Sequence, residues 1–161
     1  MILDNEMTVC SSVDMSVTDP DYSPLSIDLT LSPDLGSGEQ LVAIINVESY
    51  TAGSATGCTF DIITSSAADL ETSPKVIGSL LVSSTELEAR DSGAYKAPVV
   101  VRINPGHEGS TPPGGVTERY VGIRFNHAGA LATDMTVTAY FTLGYPSDPA
   151  LSHHTSGFII A

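Results

Sequence analysis

The sequence predicts an all-β fold: a jelly-roll sandwich of about eight antiparallel strands, with an N-terminal arm and a C-terminal tail. Several short runs alternate apolar and polar residues with a period of two, two more runs are almost continuously apolar, and the segments between them are rich in Gly, Pro, Ser and Asp. The chain has 161 residues and no internal repeat of the strand pattern, so we expect one domain. We divide the chain into an arm (1–24), a jelly-roll domain (25–143) and a tail (144–161).

The alternating runs predict strands with one buried face. In MTVTAYFTL, every second residue from Met135 to Leu143 is apolar, which is the period of a half-buried strand. The same period occurs in SIDLTL, CTFDIIT and RYVGIRF, which begin at Ser26, Cys58 and Arg119. In CTFDIIT, Phe60 and Ile62 share a face, so we expect Asp61 to point into solvent.

Two runs are apolar almost throughout, namely LVAIINVE (41–48) and VVVRI (99–103). Such runs are typical of central strands that are covered on both faces. The run KVIGSLLV (75–82) completes a set of seven predicted strands. A helix is predicted only at SSTELEAR, with Ser84 or Thr85 as the N-cap and Gly93 as its end.

The loop between VVVRI and RYVGIRF contains the only adjacent imidazole and carboxylate, His107 and Glu108. Adjacent residues in a strand or loop usually face apart, so this pair does not predict a catalytic or metal site. Four glycines and two prolines within 106–115 supply the unusual backbone angles and the stiffness of a turn. We therefore predict that 104–118 is a turn.

Both ends of the chain lack the strand pattern. Residues 1–24 show no clear period, and the tail runs through YPSDPALSHHTSG before it closes on FIIA. An apolar terminus is unfavourable in water. We expect Phe158, Ile159 and Ile160 to pack either on their own domain or on a neighbouring subunit.

The distribution of charge excludes two classes of partner. The net charge is −13, all six basic residues lie between positions 75 and 124, and residues 1–74 hold twelve of the nineteen carboxylates. The first 74 residues therefore offer nothing that neutralises phosphates, and we expect neither nucleic acid nor an anionic membrane as a partner. The acidity either keeps an abundant protein soluble or steers it onto a positively charged protein surface.

Cysteine content and targeting signals indicate where the protein is made. Cys10 and Cys58 are too few for a disulfide scaffold, although one bridge between them stays open as an alternative. No run approaches the roughly 18 apolar residues of a membrane span, and the start MILDNEMTVC lacks the features of a signal peptide. We expect the protein to be made in the cytoplasm and used there, or in something assembled there.

No sequence motif predicts catalysis, a cofactor or a metal site. HExxH, paired CxxC, GxSxG and GxxxxGK are absent. His153 and His154 lie in the polar tail, where we expect them to be solvated, and His127 is the only histidine in or at the end of a predicted strand. Asp14, Asp19 and Asp21 are compatible with either a solvated arm or a weak Ca²⁺ site. Their spacing does not match that of an EF-hand loop.

Four segments resemble a known family when they are taken in order. They are the opening MILD, the strand entry DLGSGEQL, the segment DIITSSAADLETSPKVIGS, and the Gly-rich and Pro-rich loop followed by RYVGIRF. In this order they resemble the jelly-roll capsid cement (decoration, or stabilisation) proteins of short-tailed bacteriophages. The chain departs from the short members of that family in its longer acidic arm (11–24) and in its tail after Leu143.

The resemblance implies a structural virion protein with no enzymatic activity. It implies a jelly roll that forms homo-oligomers, with dimers favoured over trimers, and clamps neighbouring major capsid protein subunits on the outer surface of the capsid. The protein would be made in the host cytoplasm and would need no cofactor. We expect the capsid or subunit contacts to involve both ends of the chain, at Ile2, Leu3, Asp4, Phe158, Ile159 and Ile160; the alternative is that both ends complete the sheets of their own domain.

Two other functions stay open. A jelly-roll receptor-binding or carbohydrate-binding module of a virion requires a pocket lined by aromatic and polar groups. A cupin-like enzyme requires His and carboxylate ligands that point into the barrel, for which His127 is the only histidine placed in or beside a strand. Function resides in such sites and not in the fold itself.

Overall fold

The computed structural model describes residues 7–29, 41–92, 97–102 and 118–143. Within these ranges the chain forms nine strands and one short helix. In chain order they are β1 (Thr8–Asp14), β2 (Asp21–Tyr22), β3 (Ile27–Asp28), β4 (Leu41–Thr51), β5 (Gly57–Ser65), β6 (Lys75–Ser83), α1 (Ser84–Asp91), β7 (Val99–Arg102), β8 (Tyr120–Ala128) and β9 (Asp134–Leu143).

The strands form two antiparallel sheets. The first sheet has the order β1-β9-β4-β7, and the second has the order β2-β8-β5-β6, with β3 also paired to β8. Because β2 and β3 follow each other along β8, each sheet has four strand positions. The chain passes from one sheet to the other at each connection except β2 to β3 and β5 to β6, which gives the strand order of a jelly roll. The predicted all-β sandwich is confirmed.

The core lies between the sheets, on the faces that the alternating pattern predicts. Phe60 on β5 is directly opposite Phe125 on β8, and their rings meet edge to face with centroids 5.7 Å apart. Both side chains are fully buried, as are Ile62 of the same strand and Phe141 from the first sheet. Burying one such side chain stabilises a fold by about 1.5–3 kcal/mol. The core therefore makes the two sheets a firm scaffold for their outer faces and edges.

The predicted arm requires a correction, because strands β1 and β2 belong to the sandwich. Val9 and Cys10 of β1 are buried in the core, and β1 pairs with β9. The register of that pairing shifts between Thr8 and Cys10 and again between Cys10 and Val13. Each shift breaks the period of two that marks a strand in sequence, which explains why the segment reads as irregular.

One of the two strands predicted to be central is an edge strand. β4 lies between β9 and β7, as expected, and its outward-facing Val42 and Ile44 are buried. β7 is the edge of the first sheet among the described strands. Its Val99 and Val101 face the core, whereas Val100 is half-buried, so the continuous apolar run reflects partial cover at an edge.

The predicted helix is present and directly follows β6. Its N-cap is Ser83, not Ser84 or Thr85, and the Ser83 hydroxyl accepts a hydrogen bond from the Glu86 N–H at 3.3 Å. Leu87 is its buried residue and packs into the core. The cap thus stops β6 at its last residue and turns the chain away from the edge of the second sheet.

Candidate functional site

The outer face of the second sheet has a buried carboxylate at its centre. Asp61 on β5 is 3% exposed, which corrects the expectation that it points into solvent. Its Oδ1 accepts a hydrogen bond from Ser79 Oγ at 2.6 Å, and its Oδ2 accepts from Arg124 Nη2 and Asn126 Nδ2, both at 2.7 Å. The four side chains lie on three neighbouring strands, β6, β5 and β8.

This cluster, which we call the Asp61 network, is built to hold strands together. A second donor of Arg124, Nε, lies 3.1 Å from the same carboxylate oxygen, so the ion pair is forked. Charge-assisted hydrogen bonds of this kind are roughly twice as strong as neutral ones. Both oxygens of Asp61 are occupied within the sheet, which points to a structural role for the carboxylate.

A loop of the chain itself covers the neighbouring part of the same face. Leu70, from the β5–β6 connection, is fully buried, and Gly122 on β8 leaves the space that it fills. A Cβ atom at Gly122 would lie 2.1 Å from Leu70 Cδ1 and 2.9 Å from Ser23 Oγ. The Ser23 hydroxyl accepts a hydrogen bond from the Ile123 N–H and donates one to the Leu25 carbonyl. This half of the face is therefore closed by close packing.

The β6 edge of the second sheet exposes apolar side chains. Leu81 is 64% exposed and Leu80 is 39% exposed. Among the described elements, β6 pairs with β5 alone. Leu81 lies opposite Thr59, on the outward face beside the Asp61 network, whereas Leu80 lies opposite Phe60 on the core side. Residues 78–83, the second half of β6, thus expose leucines to solvent. The side of β6 that faces away from β5 has no partner strand in the described structure.

The first half of β6 is protected in a way that the second half is not. The register with β5 shifts between Ile62 and Ile63, which leaves Ile77 as a bulge. Lys75 starts the strand and forms an ion pair with Glu118. Bulges and lysines are devices by which proteins prevent sheet edges from pairing. Neither device occurs in residues 78–83, whose sequence is GSLLVS.

Two of the other three sheet edges in the described structure are blunted. β1 carries two register shifts, and its Ser12 has a φ of 49°. The edge formed by β2 and β3 consists of two strands of two residues each, with Pro24 between them. By comparison, the β6 edge is a strand of nine residues that exposes Leu80 and Leu81.

The chemical candidates within the described ranges do not assemble into a reactive centre. His127 on β8 is buried, and its Nε2 lies 2.7 Å from the Met15 carbonyl. Since a carbonyl only accepts, Nε2 is the donor in this contact, whereas Nδ1 has no hydrogen-bond partner among the described residues. The His127 N–H also donates to Asp19 Oδ1 at 3.0 Å. His127 therefore tethers the segment between β1 and β2 to the second sheet.

The three acidic residues considered as Ca²⁺ ligands each accept hydrogen bonds from a different partner. Asp14 Oδ1 accepts hydrogen bonds from the Ser16 hydroxyl and N–H, and these bonds lower the pKa of Asp14. Asp19 bonds to the His127 backbone, and Asp21 bonds to the Tyr22 backbone. Within the described ranges, no group of three or more His, Cys, Asp or Glu side chains is placed to hold a metal ion.

Both cysteines are buried free thiols. Desolvation raises the pKa of Cys10 to about 12 and that of Cys58 to about 12, with smaller contributions from nearby carboxylates. A thiolate is the reactive form of cysteine. Neither residue is therefore a nucleophile near neutral pH, and the bridge between them that the sequence left open is absent from the structure.

A shallow cleft of about 290 Å³ lies between the outer face of the first sheet and helix α1. Among the residues that line it, Glu48 accepts hydrogen bonds from Ser12 Oγ and Thr138 Oγ1, and Arg90 forms an ion pair with Glu86. Its volume is at the lower limit of ligand pockets, about 300 Å³. Glu48 and Arg90 thus already have partners within the domain, so the cleft does not identify a ligand.

The contact residues expected from the sequence lie outside the described residues. They are Ile2, Leu3, Asp4, Phe158, Ile159 and Ile160. The same holds for His107, His153, His154 and almost all of the predicted turn at 104–118. The sequence reasoning missed the β6 edge, although a signal was present: adjacent leucines in a strand face opposite sides, so one of the pair in GSLLVS must point outward.

Comparison with known proteins adds no family to this picture. Neither the scan against protein-family models nor the search of curated proteins found a match. The helix of the described structure has eight residues, and no described helix is long and apolar enough to cross a membrane.

Proposed function

We propose that this protein is a non-enzymatic capsid cement protein of a bacteriophage. In this role it binds the outer surface of the capsid as a homo-oligomer and bridges neighbouring major capsid protein subunits. It is made in the host cytoplasm and resides on the virion. The resemblance of the four sequence segments supports this function, and the antiparallel jelly-roll sandwich agrees with the fold that the resemblance implies.

The observation that carries the proposal is the character of the second sheet's outer surface. Its polar centre is tied into the Asp61 network, its neighbouring part is packed under Leu70, and its β6 edge exposes Leu81 to solvent. Exposed apolar strand edges bind other polypeptides, through main-chain hydrogen bonds and through side-chain contacts. A shell-stabilising protein requires a surface of this kind, which can bind other polypeptides, on a rigid domain.

The charge distribution supports the same role. A protein present in many copies on one shell must stay soluble before assembly, and a net charge of −13 promotes that solubility. On the shell, many modest contacts add up, because each bound copy bridges subunits that are already held in place. The ends of the chain, including Ile2, Leu3, Phe158 and Ile159, are the proposed capsid contacts.

The test uses capsids that lack the protein, taken from the phage that encodes it. The purified chain is mixed with expanded shells, and both co-sedimentation and the temperature of capsid disruption are measured. The proposal predicts saturable binding and a raised disruption temperature. A matched variant, Phe158→Ser with Ile160→Ser, should bind more weakly. Absence of binding at every maturation stage would contradict the proposal, and a glycan screen would then test the receptor-binding alternative.

A further inference from the structure

The four sheet edges of the described structure differ in how well they exclude another strand. One is shifted in register and another is broken into two short strands, whereas residues 78–83 of β6 are regular and contain two exposed leucines. An edge strand has N–H and C=O groups that point away from its sheet, and another strand can satisfy them. A regular edge with exposed leucines, in a domain that blunts other edges, is the pattern expected when that edge has a partner.

The chemistry of residues 78–83 favours a second copy of the same chain as that partner. The segment GSLLVS contains no charged residue, although the whole chain carries a net charge of −13. Two molecules with net charges of the same sign repel each other at long range. This repulsion is smallest where the surfaces that meet carry no charged residues. The carboxylate opposite Ser79 on β5, that of Asp61, already forms an ion pair with Arg124.

The segment is also complementary to itself. Two identical strands that pair antiparallel about a twofold axis place the axis residue opposite its own copy. With the axis at Leu81, the two Leu81 side chains meet on the outer face. Leu80 then faces Val82 of the second copy on the core side, and Ser79 faces Ser83. Apolar residues meet apolar residues and small polar residues meet small polar residues, so the register is consistent on both faces.

We propose that two copies of this protein pair through residues 78–83 of β6, antiparallel about a twofold axis at Leu81, so that their second sheets become one continuous sheet. This inference rests on the homo-oligomer part of the proposed function and not on capsid binding. The segment spans six residues, which is short for a stable interface, so the dissociation constant in solution should be on the order of micromolar.

The first experiment measures the mass of the full chain in solution without any capsid. Sedimentation velocity from 1 µM to about 1 mM should show a monomer–dimer equilibrium. Leu81→Lys places two like charges opposite each other at the axis and should raise the dissociation constant by about tenfold or more. Val17→Lys is the matched control, since Val17 is 67% exposed and lies outside the strand, and it should leave the equilibrium unchanged.

The second experiment tests the register. Leu81→Cys brings two thiols to the axis, where Cα atoms of directly opposed residues are about 4.5–5.5 Å apart, a distance that a disulfide can span. Mild oxidation should therefore cross-link the variant into a dimer, and Val17→Cys should cross-link far less. The native thiols do not interfere, because Cys10 and Cys58 are buried.

Three results would overturn the inference: a monomer up to the highest concentration, a dimer that Leu81→Lys leaves unchanged, or no cross-link at position 81. If truncation after residue 143 abolished the dimer while Leu81→Lys did not, the tail would be the contact instead. Failure of the dimer is distinguishable from failure of the cement function. A monomeric Leu81→Lys variant that still stabilises capsids separates the two, as does a dimer that does not bind them.

Discussion

The centre and the edge of the second sheet differ in a way that separates stability from binding. At the centre, Asp61 is buried and hydrogen-bonded to three side chains. At the edge, Leu81 lies on the neighbouring strand β6, on the same outer face as Asp61, and is 64% exposed. The polar residue is inside and the apolar residue is outside, which is the reverse of their preferences in isolation. The comparison indicates that the centre holds the domain together, whereas the edge exposes apolar surface, which under our proposal binds a second copy of the chain.

The largest expected effect comes from breaking the centre. Asp61→Ala removes the acceptor of four donor groups and leaves Arg124, whose side chain is 21% exposed, without its ion-pair partner. We expect the free energy of unfolding to fall by about 3 kcal/mol, measured by urea denaturation. Glu71→Ala, which removes an exposed carboxylate from the same β5–β6 connection, is the control and should change stability by less than about 0.5 kcal/mol. Equal losses in the two variants would contradict a structural role for the network.

A smaller loss is expected from overpacking beside the centre. Gly122→Ala places a methyl group 2.1 Å from Leu70 Cδ1, so Leu70 must shift, and this should cost about 1–3 kcal/mol of unfolding free energy. Leu70→Ala removes the clashing atom but also leaves a cavity. The double variant should therefore lose less than the sum of the two single variants in the same denaturation assay. Strict additivity would show that the two residues do not pack against each other.

A blunted edge offers a third point of comparison through its pH dependence. At the end of β1, the hydrogen bonds from the Ser16 hydroxyl and N–H lower the pKa of Asp14 below the ordinary value of an aspartate. A lowered folded-state pKa stabilises the fold above the unfolded-state pKa, and that contribution disappears as pH falls through the folded-state value. Asp14→Asn should therefore be slightly less stable than the native chain at pH 6, and the difference should shrink below about pH 4. A difference independent of pH would exclude this cause.

The smallest expected effect on stability is at the edge itself. Leu81→Ser removes an exposed side chain, so the unfolding free energy of the monomer should change by less than about 0.5 kcal/mol. Measured at concentrations where the native chain is a dimer, the same variant should lose the stabilisation that association provides. A large loss in the monomer would show that Leu81 contributes to folding, and the contrast between centre and edge would then fail.

The parts of the fold that could be predicted from the sequence are those that depend on local residue patterns. The period of two, together with the apolar runs, located seven of the strands, and the alternation also gave the core positions of residues such as Phe60 and Phe125, because such patterns are properties of neighbouring residues. It failed at β1, where two register shifts break the alternation, and at β7, where an apolar run is an edge. The β6 edge was missed because a run such as KVIGSLLV does not show which strands will lie beside it.

The sequence by itself therefore determined the class of fold, the core side of most strands and the helix after β6. Only the tertiary structure decided that Asp61 is buried and that Leu81 is at an open edge. The physical reason is distance along the chain: Asp61 is covered by Arg124, which lies 63 residues away, and Leu81 is exposed because no described strand pairs with the second side of β6. Local alternation determines which face of a strand a side chain occupies, whereas the packing of the assembled sheets determines whether that face is buried.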